Sequence, residues 1–164
     1  MAEPLIARSL LFAPGDSERK LAKAGASGAD LVLLDLEDAV APANKVAARE
    51  LVAAHLRSAE RAQPQWVRIN PLDSDYALAD LAAVVPGRPD GIMLPKATRA
   101  EADRLHHYLT ALEAAAGLPI GGIRTIVVAT ETATDLPDDA PPHEAHVEPM
   151  AEAGTDDAPL VTRA

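Results

Sequence analysis

Five short apolar runs punctuate the first four-fifths of the chain, at residues 10–13, 31–34, 66–69, 92–94 and 126–129. Each has the length of a β-strand, and each is continuous rather than alternating, the pattern of parallel strands covered on both faces. The runs recur about every 22 to 34 residues, the interval of successive βα units. Between them the apolar period changes to that of a helix. Ala48, Leu51, Val52, His55 and Leu56 fall on one stripe, as do Leu78, Leu81, Ala82 and Val85. A third helix is announced by a capping box, Thr98 with Glu101. It continues through Leu105, Leu109 and Leu112 and closes at Gly117, where a left-handed cap is expected. The predicted architecture is a parallel βα repeat of the α/β class. Periodicity alone leaves two closures open, a doubly wound open sheet and a barrel.

The pattern stops near residue 132. Of 15 basic and 25 acidic residues in the 164-residue chain, one and eight lie in 133–164, so that segment carries −7 of the net −10. It also holds Pro137, Pro141, Pro142, Pro149 and Pro159 and no aromatic residue. Such a composition buries too little apolar area to offset the entropy of ordering. The expected organisation is a folded segment, 1–132, followed by a disordered acidic tail, 133–164.

Composition removes several functions. Without cysteine there is no disulfide framework, thiolate zinc site or cysteine nucleophile. The acidity and the lack of a basic stripe argue against nucleic acid. No apolar run reaches membrane-spanning length and no signal-peptide core is present, so a cytoplasmic protein is expected. Nucleotide-binding glycine loops and the serine-hydrolase elbow are missing as well.

In parallel α/β folds, chemistry gathers where strands end. Here the five runs lead into Pro14-Gly15-Asp16, Asp35-Leu36-Glu37-Asp38, Arg68 with Asn70-Pro71, Pro95-Lys96 and Glu131-Thr132. Acidic, basic and amide groups on one rim suit a small anion held with a divalent cation. Each also has a plainer reading. Arg68 can simply neutralise Asp35 or Glu37, and Glu37 and Asp38 can cap the helix that follows. Arg19, Lys20 and Lys23 can form a solvated helix face or, after a Pro-Gly turn, meet phosphate. His106 and His107 read as surface or packing residues, and His143 with His146 is not taken as a metal motif.

Five blocks together, RSLLFAPG (8–15), DLEDAV (35–40) with Lys45, Ala48 and Arg49, VRINP (67–71), MLPK (93–96) and Glu131-Thr132, resemble the citrate lyase beta-subunit-like family of the HpcH/HpaI aldolase group. That group includes malyl-CoA and citramalyl-CoA lyases. The resemblance implies the first five strands of a (β/α)8 TIM barrel of the phosphoenolpyruvate/pyruvate type. It also implies a Mg2+-dependent lyase that breaks or forms a carbon–carbon bond in a CoA thioester, with a small 2-oxo acid as the other partner. Full-length members would be homo-oligomers. By position, Arg68 matches a substrate-carboxylate arginine, Phe12 lines the site, Arg19 and Lys23 reach CoA, and Glu131 is a metal ligand. Asp35, Glu37 and Asp38 match an acidic cluster that orients water around the metal. Nothing in 133–164 matches the Gly-x-x-Asp-type motif that supplies a second metal carboxylate in the family. The expectation is therefore a truncated chain with weak Mg2+ binding, its last segment read out of frame, or else a non-catalytic binding or assembly subunit.

Overall fold

The computed structural model describes residues 6–58 and 61–128. The five expected strands are there: β1 Leu10–Pro14, β2 Leu31–Asp35, β3 Gln65–Arg68, β4 Gly91–Leu94 and β5 Arg124–Val127. They form one sheet in the order β1-β2-β3-β4-β5, every neighbouring pair parallel. A strictly sequential order is that of consecutive barrel strands; the flavodoxin-like order reverses at a switch point. That decides the closure periodicity left open. The last strand starts two residues before the apolar run that marked it, because Arg124 and Thr125 already pair with Gly91 and Ile92. Its expected end at Ala129 lies outside the described residues, as do the tail and its two histidines.

Helices α1 Glu18–Gly25, α2 Lys45–Arg57, α3 Ala77–Val84 and α4 Arg99–Ala115 occupy the four crossovers. The α4 capping box is present: the Thr98 hydroxyl accepts from the Glu101 amide, and the Glu101 carboxylate accepts from the Thr98 amide at 2.8 Å. Gly117 has φ +67°, the left-handed geometry that end of the helix required. The stripe on α3 is turned relative to expectation. Leu78 and Ala82 face solvent, whereas Ala77, Asp80, Leu81 and Val84 are buried. The rotation follows from Asp80, whose carboxylate bonds inward to Asn70 and Arg49.

The main core lies between sheet and helices. Val32, Leu34, Val67, Ile69, Ile92 and Leu94 meet Leu21, Val52, Leu81 and Leu105 there, all fully or nearly fully buried. Alternate strand residues point the other way, and Leu31, Leu33, Trp66 and Met93 form a smaller cluster on the opposite face. In that cluster Gly91 is obligatory, because a β-carbon there would sit 2.4 Å from the Trp66 ring. No helix among the described residues is long and apolar enough to cross a membrane.

Candidate functional site

Strand register places one residue of each strand in a row across the C-terminal rim: Pro14, Asp35, Arg68, Met93 and Ile126. At its centre Asp35, fully buried, holds Arg68 through two parallel bonds, Nε to Oδ1 at 2.8 Å and Nη2 to Oδ2 at 2.5 Å. The Phe12 ring lies under the guanidinium, 4.9 Å from its carbon to the ring centroid. Fork-to-fork pairing plus stacking fixes the orientation of a planar cation in a way no lysine reproduces.

The turn after β2 completes the site. The amides of Glu37 and Ala39 donate to the Asp35 carboxylate at 2.8 and 3.1 Å, so Asp35 closes the turn. Neither Glu37 nor Asp38 caps the helix that follows, whose N-cap Asn44 makes no side-chain cap bond. Those two instead face the cations. Glu37 lies 3.1 Å from Arg68 Nη1 and 3.0 Å from Lys96 Nζ; Asp38, largely exposed, lies 3.6 and 3.8 Å from the same groups. Lys96 has a left-handed backbone, φ +49°, at the start of the loop after β4. Burial pushes the Asp35 carboxyl up, but the Arg68 bonds and the two amides outweigh it and hold the group below the usual carboxylate range. The Asp35 bonds in turn hold Arg68 more firmly protonated than an exposed arginine, against the effect of its own burial.

Beneath this turn runs a second polar layer. Lys45 Nζ, in a side chain only 7% exposed, donates to the carbonyls of Leu36 at 2.7 Å and Glu37 at 2.6 Å. Asn70 Nδ2 donates to Leu36 O at 3.0 Å and to Asp80 at 2.7 Å, and Arg49 Nε donates to Asp80 at 2.9 Å. Burial pushes the Lys45 ammonium down, while the charges of Asp35, Asp80, Glu37 and Asp38 pull it back. In the sequence Lys45 and Arg49 stand out only as motif letters and Asn70 as a strand-end amide, while Asp80 does not stand out at all. Its signal is visible in hindsight: an acid inside the otherwise apolar helix ALADLAAV.

The remaining expected residues separate. Arg19 and Lys23 are exposed on α1. Lys23, with Lys20, lines a hollow of about 360 Å3 walled by Leu11, Phe12, Pro14 and Ser27. Arg19 is not part of that wall. His106 and His107 are exposed on α4, as surface residues. Glu131 lies outside the described residues. Among the described residues no group of three His, Cys, Asp or Glu is placed to ligate a metal directly. The acidic turn nevertheless has the oxygen-only chemistry that holds water around a hard cation. Glu37 Oε2 is buried with no hydrogen-bond partner, its approach to Arg68 lying within ion-pair distance but outside hydrogen-bond geometry.

Residues 8–138 match the sequence profile of HpcH/HpaI aldolase/citrate lyase. A (3S)-malyl-CoA thioesterase of Cereibacter sphaeroides is 42% identical over 94 residues, which cover 57% of this chain and 33% of that protein. Citrate lyase subunit beta of Haemophilus influenzae is 36% identical over 121 residues, 73% of this chain and 42% of the other. Among solved structures, the citrate lyase beta subunit of Mycobacterium tuberculosis, complexed with oxaloacetate and magnesium, superposes with a TM-score of 0.53 at 33% identity. That match covers 77% of this chain and 58% of the other. The chain thus spans about a third to two-fifths of the length of these curated relatives. Its sheet corresponds to five consecutive strands of their barrel.

Proposed function

The chain belongs to the HpcH/HpaI aldolase/citrate lyase family, and on that premise we propose that it serves a Mg2+-dependent carbon–carbon lyase acting on a CoA thioester of the citryl-CoA, malyl-CoA or citramalyl-CoA type. The products are a 2-oxo acid and acetyl-CoA, and the setting is a cytoplasmic homo-oligomer. One observation carries the reading: the Arg68 guanidinium is immobilised from behind by Asp35 and from below by Phe12 at the C-terminal rim. An immobile fork is what bidentate capture of a carboxylate needs, because its orientation is settled before the ligand arrives. The 2-oxo acid carboxylate takes the Nη edge and displaces Asp38, the most exposed of the three acids around it.

The other residues divide the remaining work. Lys20 and Lys23 face the hollow beside Phe12, where an anionic CoA segment can lie against apolar wall and ammonium groups, with Arg19 further along the same helix. Glu131 would ligate Mg2+, and Glu37 and Asp38 would orient its water. Asp35, expected to share that task, is buried with both oxygens committed to Arg68 and to two backbone amides, and serves instead to hold Arg68. When bound, the ion supplies Lewis-acid polarisation of the 2-oxo carbonyl. Glu37, held between Arg68 and Lys96, keeps the negative charge of the turn beside the site without occupying it.

A second reading, a non-catalytic binding or assembly subunit, draws on the apolar side chains exposed along the outer strand β1, Leu10, Leu11 and Phe12, together with Val127 on β5. Assay of the purified chain with malyl-CoA, citramalyl-CoA and citryl-CoA, and calorimetry with oxaloacetate and Mg2+, separates the two. Turnover lost with Arg68→Ala supports the lyase. Binding without turnover leaves the subunit reading, and a stable monomer on size exclusion with no affinity for any of these ligands defeats both.

A further inference from the structure

Three features outside the ligand-facing groups stand out: the hollow at the N-terminal side near Glu113, the arginines around Asp90, and the buried layer under the acidic turn. In the first, Glu113 is already satisfied by the amides of Gly121 and Ile123 at 2.7 Å each. In the second, Arg61 is consumed by the carbonyls of Gly87 and Arg88. The third has no such closed account. Lys45 comes from the first turn of α2, the turn it supports from the end of β2, and Asn70 from beyond β3.

We infer that Lys45 is a positioning residue for the proposed lyase site, fixing the backbone of Leu36 and Glu37 so that the acids of the turn meet Arg68 and Lys96. An ammonium has three donors. Two go to consecutive carbonyls at 2.7 and 2.6 Å, and the Tyr76 ring lies 5.9 Å from Nζ. Two adjacent peptide planes tied to one buried point cannot rotate independently. Asn70 Nδ2 holds the Leu36 carbonyl a second time, and Asp80 anchors that amide while itself bonded to Arg49. On the opposite side of the turn, Asp35 binds the amides of Glu37 and Ala39. The turn is thus clamped through its carbonyls from beneath and its amides from within, which fixes the directions in which the side chains of Glu37 and Asp38 leave the backbone. Lys45 touches neither Arg68 nor any ligand place; its influence passes through the turn.

The inference rests on the proposed function, and its test separates the two. In Lys45→Met, oxaloacetate binding measured with Mg2+ weakens about 10- to 100-fold, the usual effect of removing a group that supports a ligand-binding residue. Acetyl-CoA binding beside Phe12 stays unchanged. The NMR resonance of Arg68 Nε–H, bonded to Asp35, shifts or broadens although residue 45 does not contact it. If both ligands weaken equally alongside a lower Tm, or if neither oxaloacetate affinity nor the Arg68 resonance moves, Lys45 is only a packing residue and the inference fails. Should Lys45→Met not fold, Lys45→Gln, which keeps an uncharged amide donor on a shorter side chain, is judged by the same readouts. If the unaltered chain binds neither ligand, the functional reading falls, and the Arg68 resonance alone decides whether Lys45 sets the turn.

Discussion

At the N-terminal ends of the strands, Arg61 donates to two backbone carbonyls, with the Asp90 carboxylate farther off at 3.6 Å, and Glu113 accepts two backbone amides. At the C-terminal ends, Arg68, Lys96, Asp35 and Glu37 are matched mainly to one another's side chains. Both ends hold charge in partly or fully buried places, and the difference lies in what answers it. A charge answered by backbone closes a loop, and no ligand can take its partner without opening the chain. A charge answered by another side chain can exchange that partner for a ligand of the same sign. The second arrangement stays in place only because a further polar layer, Lys45, Asn70, Asp80 and Arg49, holds the backbone under it.

The contrast is open to attack. The largest expected effect is on that supporting layer: Asp80→Ala strands Arg49 and Asn70, and denaturant unfolding should show a loss of about 3–5 kcal/mol. A loss below about 1 kcal/mol would mean that the layer is no more than surface pairing. Next, Gly91→Ala forces a methyl against the Trp66 ring and should cost about 1–3 kcal/mol, with oxaloacetate affinity unchanged because the strain sits below the rim. Arg61→Ala should cost about 1 kcal/mol and also leave that affinity alone, whereas Arg68→Ala removes it; equal behaviour of the two arginines would erase the distinction between the ends.

The smallest effect concerns pH. Burial, helped by the nearby Arg61 charge, keeps the His55 pKa below its ordinary value. The folded chain then binds fewer protons than the unfolded chain, so stability declines as pH falls below about 6.5. Thermal scans of His55→Leu should show that decline flattened. Asp35 acts in a lower window, its contribution present above the ordinary carboxylate range and lost as pH falls through its depressed value.

Much of this was legible in the sequence, for local reasons. Continuous apolar runs flanked by turn residues mark buried parallel strands, and Thr98 with Glu101 marks a helix start, because both signals arise within a few residues. Strand ends told where to look, and Asp35, Glu37, Asp38, Arg68 and Phe12 do converge. The plain reading of Arg68 is what the structure shows, a pairing with Asp35, and the proposed carboxylate-binding role builds on the orientation which that pairing fixes. Asp80 escaped because periodicity assigns a charge to the solvent side. Its burial depends on Asn70 and Arg49, 10 and 31 residues away, and that separation has no signature along the chain. The same contacts turned α3 and moved Leu78 outward.

Trp66 is the single tryptophan of the chain. It is 2% exposed, its indole Nε1 has no hydrogen-bond partner, and it lies two residues before Arg68 on the same face of β3. The protein therefore carries its own fluorophore directly under the row proposed to bind carboxylate. Its emission should be short in wavelength and resistant to aqueous quenchers, and ligand arrival at the rim becomes an optical signal that needs no dye.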